Sequence, residues 1–256
     1  MIPPLVRSAL AAGVATLTLD SPHNRNALST GLITELLAAL EAAVNDDGVR
    51  VIVLTHTGTV FCSGADLKET AGALTGAAMP ASRMGDVLAA VWECPKPVVA
   101  RVGGPARAGG LGLVAAADIA VCANTATFAF TEVRLGVIPA IISATVLPRL
   151  APRAAAELFL TGDAFDGVRA ATIGLVTAAV AAEELDAAVD RYTSSLVRGG
   201  PTALAATKQL LRRGATRSIR AELAELAVTS MGFFSSAEGR EGVRSFVEKR
   251  APQWVP

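Results

Sequence analysis

Residues 103–115 read GGPARAGGLGLVA, directly after the β-branched, Pro-bounded run KPVVARV at 96–102. Glycine at this density either provides unusual backbone angles or lets something approach the main chain closely. A Walker-type phosphate loop needs Gly, four residues, then Gly-Lys-Ser/Thr. Gly104 and Gly109 have that gap, but Gly110 and Leu111 follow, so the match fails. The dinucleotide fingerprint fits better, since Gly110, Gly112 and Ala115 satisfy G-x-G-x-x-G/A after a strand and Glu132 lies about 20 residues on. It weakens in context. Asp118 and the run DIAVC leave room for only about two helical turns, and no second mononucleotide-binding half follows. A third possibility is a helix start whose free N–H groups, aided by the helix dipole, face an anionic or developing-anionic oxygen. The alternative from this segment alone is that the glycines simply permit close helix-to-sheet packing.

Working outward, VRVIVLT at 49–55 is continuous and β-branched, the pattern of a buried strand. After it, FCSGADLKE at 61–69 places Ser63-Gly64-Ala65 at the start of a short helix, with Asp66 suited to an N-cap or first-turn role. Two strand ends thus each present backbone N–H groups. Together they can form an oxyanion hole, the device that stabilises an enolate or a tetrahedral oxyanion. GVATLTLD at 13–20 alternates as a half-buried strand does, Ser29 is a plausible N-cap for a helix to about Val44, and a second helix is expected near Met79 to Trp92. With DIAVC and TFAF as further short strands, the progression is ββα with right-handed crossovers, an α/β class. From about Ile141 the chain turns Ala-rich and helical, with segments expected at Glu183 to Val197, Thr202 to Leu211 and Ile219 to Val228. The expected division is a core at 1–195 that carries the site and a helical region at 196–256.

Bulk properties narrow the function. The 256 residues carry 23 Lys plus Arg against 23 Asp plus Glu, so no electrostatic footprint points to nucleic acid or an anionic membrane. An anionic ligand must be caught locally. The 52% hydrophobic content, mostly Ala and Val, fits tight helix packing or a large subunit interface. No apolar stretch reaches the roughly 18 residues of a membrane span, and the start MIPPLVRSAL lacks a secretory pattern, so a cytoplasmic location is expected. Cys62, Cys94 and Cys122 form neither a disulfide framework nor a metal set and are expected as buried free thiols. His23 and His56 have no motif around them, and without a Ser-His-Asp set an esterase mechanism has no support.

In order and spacing, NRNAL, FCSGADLKE, KPVVARVGGPARAGGLGLVAAADIAVC, TFAFTEVRLGVIPA, LPRL, LTGDAFDG and SFVEKR resemble the crotonase (enoyl-CoA hydratase/isomerase) superfamily over nearly the whole chain. The resemblance implies a crotonase-like ββα superhelix with a C-terminal helical trimerisation region, a homotrimer or homohexamer, and an acyl-CoA thioester as substrate with no further cofactor and no metal. By position, Ala65 and Gly109 match the family's two oxyanion N–H donors. Arg25, Asn26 and Ala27, the turn Ala65-Asp66-Leu67-Lys68, Gly109, Gly112 and Ala140 match residues around the CoA channel and acyl pocket. Phe246 and Lys249 match a C-terminal helix that commonly reaches the CoA of a neighbouring subunit. Glu132 matches the second of the two glutamates that hydratases use, whereas Gly112 stands where the first would be. Glycine can neither accept a proton nor hold a catalytic water, so hydration, a one-carboxylate 3-enoyl to 2-enoyl isomerisation, and CoA-thioester binding with weak catalysis all stay open. PAIIS at 139–143, in place of smaller residues, is expected to reshape the acyl pocket. The alternative for Glu132 is an ion pair with Arg134 or Arg107.

Overall fold

The computed structural model describes residues 3–73, 81–212 and 218–255. Its strands are β1 (Val6–Ala11), β2 (Val14–Leu19), β3 (Val51–His56), β4 (Val98–Val102), β5 (Ala106–Arg107), β6 (Ile119–Ala123), β7 (Thr127–Ala129), β8 (Phe165–Asp166) and β9 (Ala178–Val180). The larger sheet has the order β1-β2-β3-β4-β6-β9, antiparallel at β1–β2 and parallel elsewhere, and the smaller has the order β5-β7-β8. Parallel pairing explains the unbroken apolar runs. Val51 lies opposite Val14, Ile52 opposite Val98 and Val99 opposite Ile119, in strands that carry helices. β2 keeps the alternation of GVATLTLD, with Ala15, Leu17 and Leu19 buried and the residues between them half-buried. Sequence patterning missed β1 because all its residues but Val6 are exposed. It is held at its start by the Glu35 carboxylate, which accepts from the Leu5 and Val6 N–H groups at 2.6 and 3.0 Å.

The helices are α1 (Thr30–Asn45), α2 (Leu67–Ala73), α3 (Ala81–Glu93), α4 (Gly109–Ala116), α5 (Ala140–Val146), α6 (Pro152–Thr161), α7 (Gly167–Thr172), α8 (Leu185–Val197), α9 (Pro201–Leu211), α10 (Ile219–Phe234) and α11 (Ala237–Glu248). Ser29 caps α1, its Oγ accepting from the Leu32 N–H at 3.2 Å. The expected start of α3 at Met79 lies outside the described residues. α8 ends at Val197, so the boundary expected after residue 195 falls in its last turn. α9 is tied to the core through Asp118, whose carboxylate meets Lys208 Nζ at 2.5 Å and Arg212 at 3.1 Å and accepts from the Val98 N–H at 2.8 Å. α10 packs on α3 and α5, and α11 on the 3-10 turn Thr131–Leu135. Among the described residues no helix is long and apolar enough to cross a membrane.

Between β2 and α1 the chain turns through Arg25 and Asn26, with φ of 59° and 52°. Asn26 is fully buried. Its Oδ1 accepts from the Ser21 N–H at 2.7 Å, and its Nδ2 donates to the Thr57 and Val60 carbonyls at 3.0 and 2.8 Å. One side chain thus binds this loop to the stretch that leads into FCSGADLKE. Asn26→Ala leaves three main-chain groups without their partner and is expected to cost about 3 kcal/mol in urea unfolding. Arg25→Ala, on the surface side of the same turn, should cost a small fraction of that, and equal unfolding midpoints for the two variants would contradict this assignment.

Candidate active site

The segments that follow β3 and β4 are bound side by side. The Phe61 and Cys62 N–H groups donate to the Pro105 carbonyl at 2.9 and 3.4 Å, and Arg107 N–H donates to the Cys62 carbonyl at 3.0 Å. Leu28 N–H donates to the Gly64 carbonyl at 2.7 Å, bringing in the loop before α1. Close packing accounts for part of the glycine density, since a Cβ on Gly104 would fall 2.1 Å from the Thr59 carbonyl oxygen and one on Gly110 2.6 Å from that of Cys62. At Gly109 a Cβ would fall 2.6 Å from Met84 Cε and 2.8 Å from Leu28 Cδ1. Gly64, at φ 91°, lies where a Cβ would be 2.8 Å from Ala108 Cβ and 3.4 Å from the Gly109 nitrogen. Ala108 adopts φ 45° and ψ −118°, a conformation L residues avoid, and so turns the chain abruptly into α4. Among the described residues no acceptor takes up the Ala65 or Gly109 N–H. Both residues line one cleft of about 560 Å³.

Glu132 lines the same cleft from the turn Thr131–Leu135, which Gly136 closes at φ 64°. Its carboxyl is buried, and among the described residues Oε2 has no hydrogen-bond partner. Burial raises its pKa to about 7, opposed only by the residue's own N–H. The ion-pair alternative does not hold. Arg134 pairs with Asp163 at 2.5 Å, and Arg107 donates to the carbonyls of Ala106 and Thr127 and to the Thr127 hydroxyl. Asp66 caps α2, its Oδ1 accepting from the Lys68 and Glu69 N–H groups at 3.0 and 3.2 Å.

Arg25, Ala27, Leu67, Lys68 and Ala140 also border the cleft, and Pro139, Ala140, Ile141 and Ile142 of the PAIIS stretch form one wall. Two expected contacts are corrected. Asn26 does not border the cleft, because its amide is spent on the buried bonds described above. Gly112 is sealed behind the wall, since a Cβ there would lie 2.9 Å from Ile142 Cγ2 and 3.1 Å from both Leu88 δ-carbons. Phe246 of α11 lines this chain's own cleft, and Lys249, at the left-handed C-cap of the same helix, is exposed and does not border it. His56 is satisfied elsewhere: Nε2 accepts from the Gly103 N–H at 3.2 Å, and Nδ1 lies 3.3 Å from the Thr57 carbonyl. Sequence inspection missed His23, Met84, Ser230 and Phe234 on the wall. The last two sit four apart on an amphipathic helix, a spacing that marks core positions equally well.

Comparison with known proteins identifies the family. The family model for enoyl-CoA hydratase/isomerase matches residues 9–255. A Rhodobacter capsulatus protein named probable enoyl-CoA hydratase is 34% identical, with 98% of this chain and 97% of the relative covered. The 2,3-dehydroadipyl-CoA hydratase of Escherichia coli is 30% identical, with 94% of each chain covered. The crystal structure of an enoyl-CoA hydratase from Mycobacterium avium superposes with a TM-score of 0.89 at 46% identity, over 99% of this chain and 100% of that one. With a family model spanning nearly its whole length, relatives of this identity and the same fold, the chain belongs to the enoyl-CoA hydratase/isomerase family of the crotonase superfamily.

Proposed function

We propose that this chain shifts the double bond of an enoyl-CoA thioester from the 3 to the 2 position, with Glu132 as its sole acid and base. The filled space at Gly112 carries this reading. Ile142 and Leu88 put hydrocarbon where a second carboxylate and its water would have to sit. The thioester oxygen would accept from the Ala65 and Gly109 N–H groups, which no protein acceptor claims. As Glu132 removes a proton from C2, charge moves onto that oxygen and the two N–H groups stabilise the enolate. The protonated carboxyl then returns the same proton at C4, and the double bond comes to rest between C2 and C3. A carboxyl of pKa about 7 can do both near neutrality, because it is neither too weak a base nor too weak an acid. Arg25 and Lys68 supply positive charge for the CoA phosphates in a chain of zero net charge.

Hydration of a 2-enoyl thioester is the second reading, favoured by the names of the relatives. The two separate on a 3-enoyl-CoA and on crotonyl-CoA assayed with the purified protein. Isomerisation should be measurable and fall roughly 100-fold to 10,000-fold in Glu132→Gln, with hydration far slower. Hydration as fast as isomerisation would overturn the one-carboxylate scheme. Loss of both activities with thioester binding retained would leave a binding protein. Because the ionised form is the base, kcat/KM for isomerisation should rise with pH and level off above about 7.

Gly112→Glu alone should lose about 1–3 kcal/mol to overpacking and gain no hydration. Combined with Ile142→Ala and Leu88→Ala, which remove both side chains that fill the space, it should show hydration of crotonyl-CoA, and failure of a folded triple variant to do so would detach the missing reaction from that position.

Glu132 also ties stability to pH. The carboxyl keeps its proton up to about pH 7 in the fold but gives it up near 4.5 when unfolded. Its destabilising effect is therefore absent below 4.5, grows between the two values and is complete above 7. Glu132→Gln, neutral throughout, should be more stable than the parent by about 3 kcal/mol at about pH 8 in urea titrations. The difference should close on approaching about pH 4.5, and a gap that does not change with pH would contradict the burial of the charge.

A further inference from the structure

We propose that α11 holds Glu132 in position through a direct contact between a glycine and the main chain, with Gly242 as a positioning residue for proton transfer. The proposal rests on Glu132 being the acid/base. A Cβ on Gly242 would fall 2.1 Å from the Leu135 carbonyl oxygen, 2.4 Å from its carbonyl carbon and 2.9 Å from its Cα. No side chain fits between α11 and the last residue of the turn that carries Glu132. The contact recurs one helical turn earlier, where a Cβ on Gly136 would lie 2.8 Å from both the Glu238 carbonyl oxygen and Cγ. At the corner between α10 and α11, a Cβ on Gly239 would lie 2.1 Å from the Phe233 carbonyl oxygen. Gly239 and Gly242 thus set α11 directly against backbone, and Gly136 lets the Glu238 main chain come close as well.

The turn has little slack to absorb a shift of α11. It is five residues long and folded on itself, with Gly136 N–H donating to the Val133 carbonyl at 3.3 Å and Val137 N–H to the Glu132 carbonyl at 3.1 Å. One turn past Gly242, α11 also places the half-exposed Phe246 on the wall of the cleft that Glu132 lines. The same helix thus bears on the turn that carries the carboxyl and on the cleft it faces. The charged groups around it are Arg25, Asp66, Lys68 and Arg107 on the cleft, Arg134 with its partner Asp163, and Glu238 across Gly136. None of them hydrogen-bonds to Glu132, so access of water is what varies when α11 moves.

Gly242→Ala tests this, with Gly232→Ala as control, because a Cβ at Gly232 meets nothing within 4 Å. In Gly242→Ala, kcat for isomerisation should fall on the order of 10-fold to 100-fold with KM for the thioester nearly unchanged. The pH midpoint of kcat/KM should move down as the carboxyl becomes wetter. Gly232→Ala should match the parent in all three. If Gly242→Ala does not fold, as judged by circular dichroism, Val243→Ala loosens the buried face of the same helix without adding bulk, and a smaller loss of kcat with the same downward midpoint is expected. A folded Gly242→Ala or Val243→Ala enzyme with the parent's kcat and pH midpoint overturns the proposal, as does a loss of stability alone. If Glu132→Gln stays active, the proton-transfer assignment fails; if Glu132→Gln is inactive while Gly242→Ala behaves like the parent, only the role of α11 fails.

Discussion

Main-chain hydrogen bonds between residues 61–62 and 105–107 bring the segments that follow two parallel strands together at one point. A side chain can rotate away from a developing charge, whereas an N–H held by neighbouring strands cannot, so its dipole is oriented before the substrate arrives. Much else follows from that join. Gly64 and Gly110 must be glycine because the strands approach within Cβ distance, and Ala108 accepts an unfavourable angle so that α4 can begin with a free donor. The buried amide of Asn26 secures the third segment, and the cleft opens where all three meet.

Opposite those strand ends, on the same cleft, stands a buried carboxyl whose Oε2 has no hydrogen-bond partner among the described residues. Met84, Val137, Ile138, Ile141, Ile142 and Phe234 give it no donor, and its one deviation from ordinary acid behaviour comes from lost water. Such a group weakens the fold, and proteins tolerate that at sites where the same lost solvation serves the reaction. The filled space at Gly112 belongs with this environment, since a second carboxylate beside the first would need water or a counter-charge to ionise.

The fold was legible wherever the chain had a period. GVATLTLD, VRVIVLT and KPVVARV gave strands within a residue or two of β2, β3 and β4, and Ser29 announced α1 through its cap. β1 was hidden because an edge strand open on both faces has no alternation to read. At the site, the Gly-rich turns announced themselves through composition, and Glu132 through family position. Asn26 looked like a contact and proved to be a structural amide, because sequence spacing does not reveal which way a polar side chain points. Ser230 and Phe234 could not be separated from core residues, and only the packing of α10 shows that part of its inner face borders the cleft.

The course of α11 has a consequence for how the enzyme comes into being. Glu132 leaves the ribosome well before Gly242 and Phe246, and until they arrive nothing presses on its turn from that side. On the growing chain the carboxylate stays wet and keeps its ordinary acidity, which spares the early intermediates a buried charge. The strand-end donors can assemble first, as a stable scaffold. Only the docking of a late helix then closes against the turn that carries the glutamate, so the penalty of the dry site falls on a fold already complete enough to bear it.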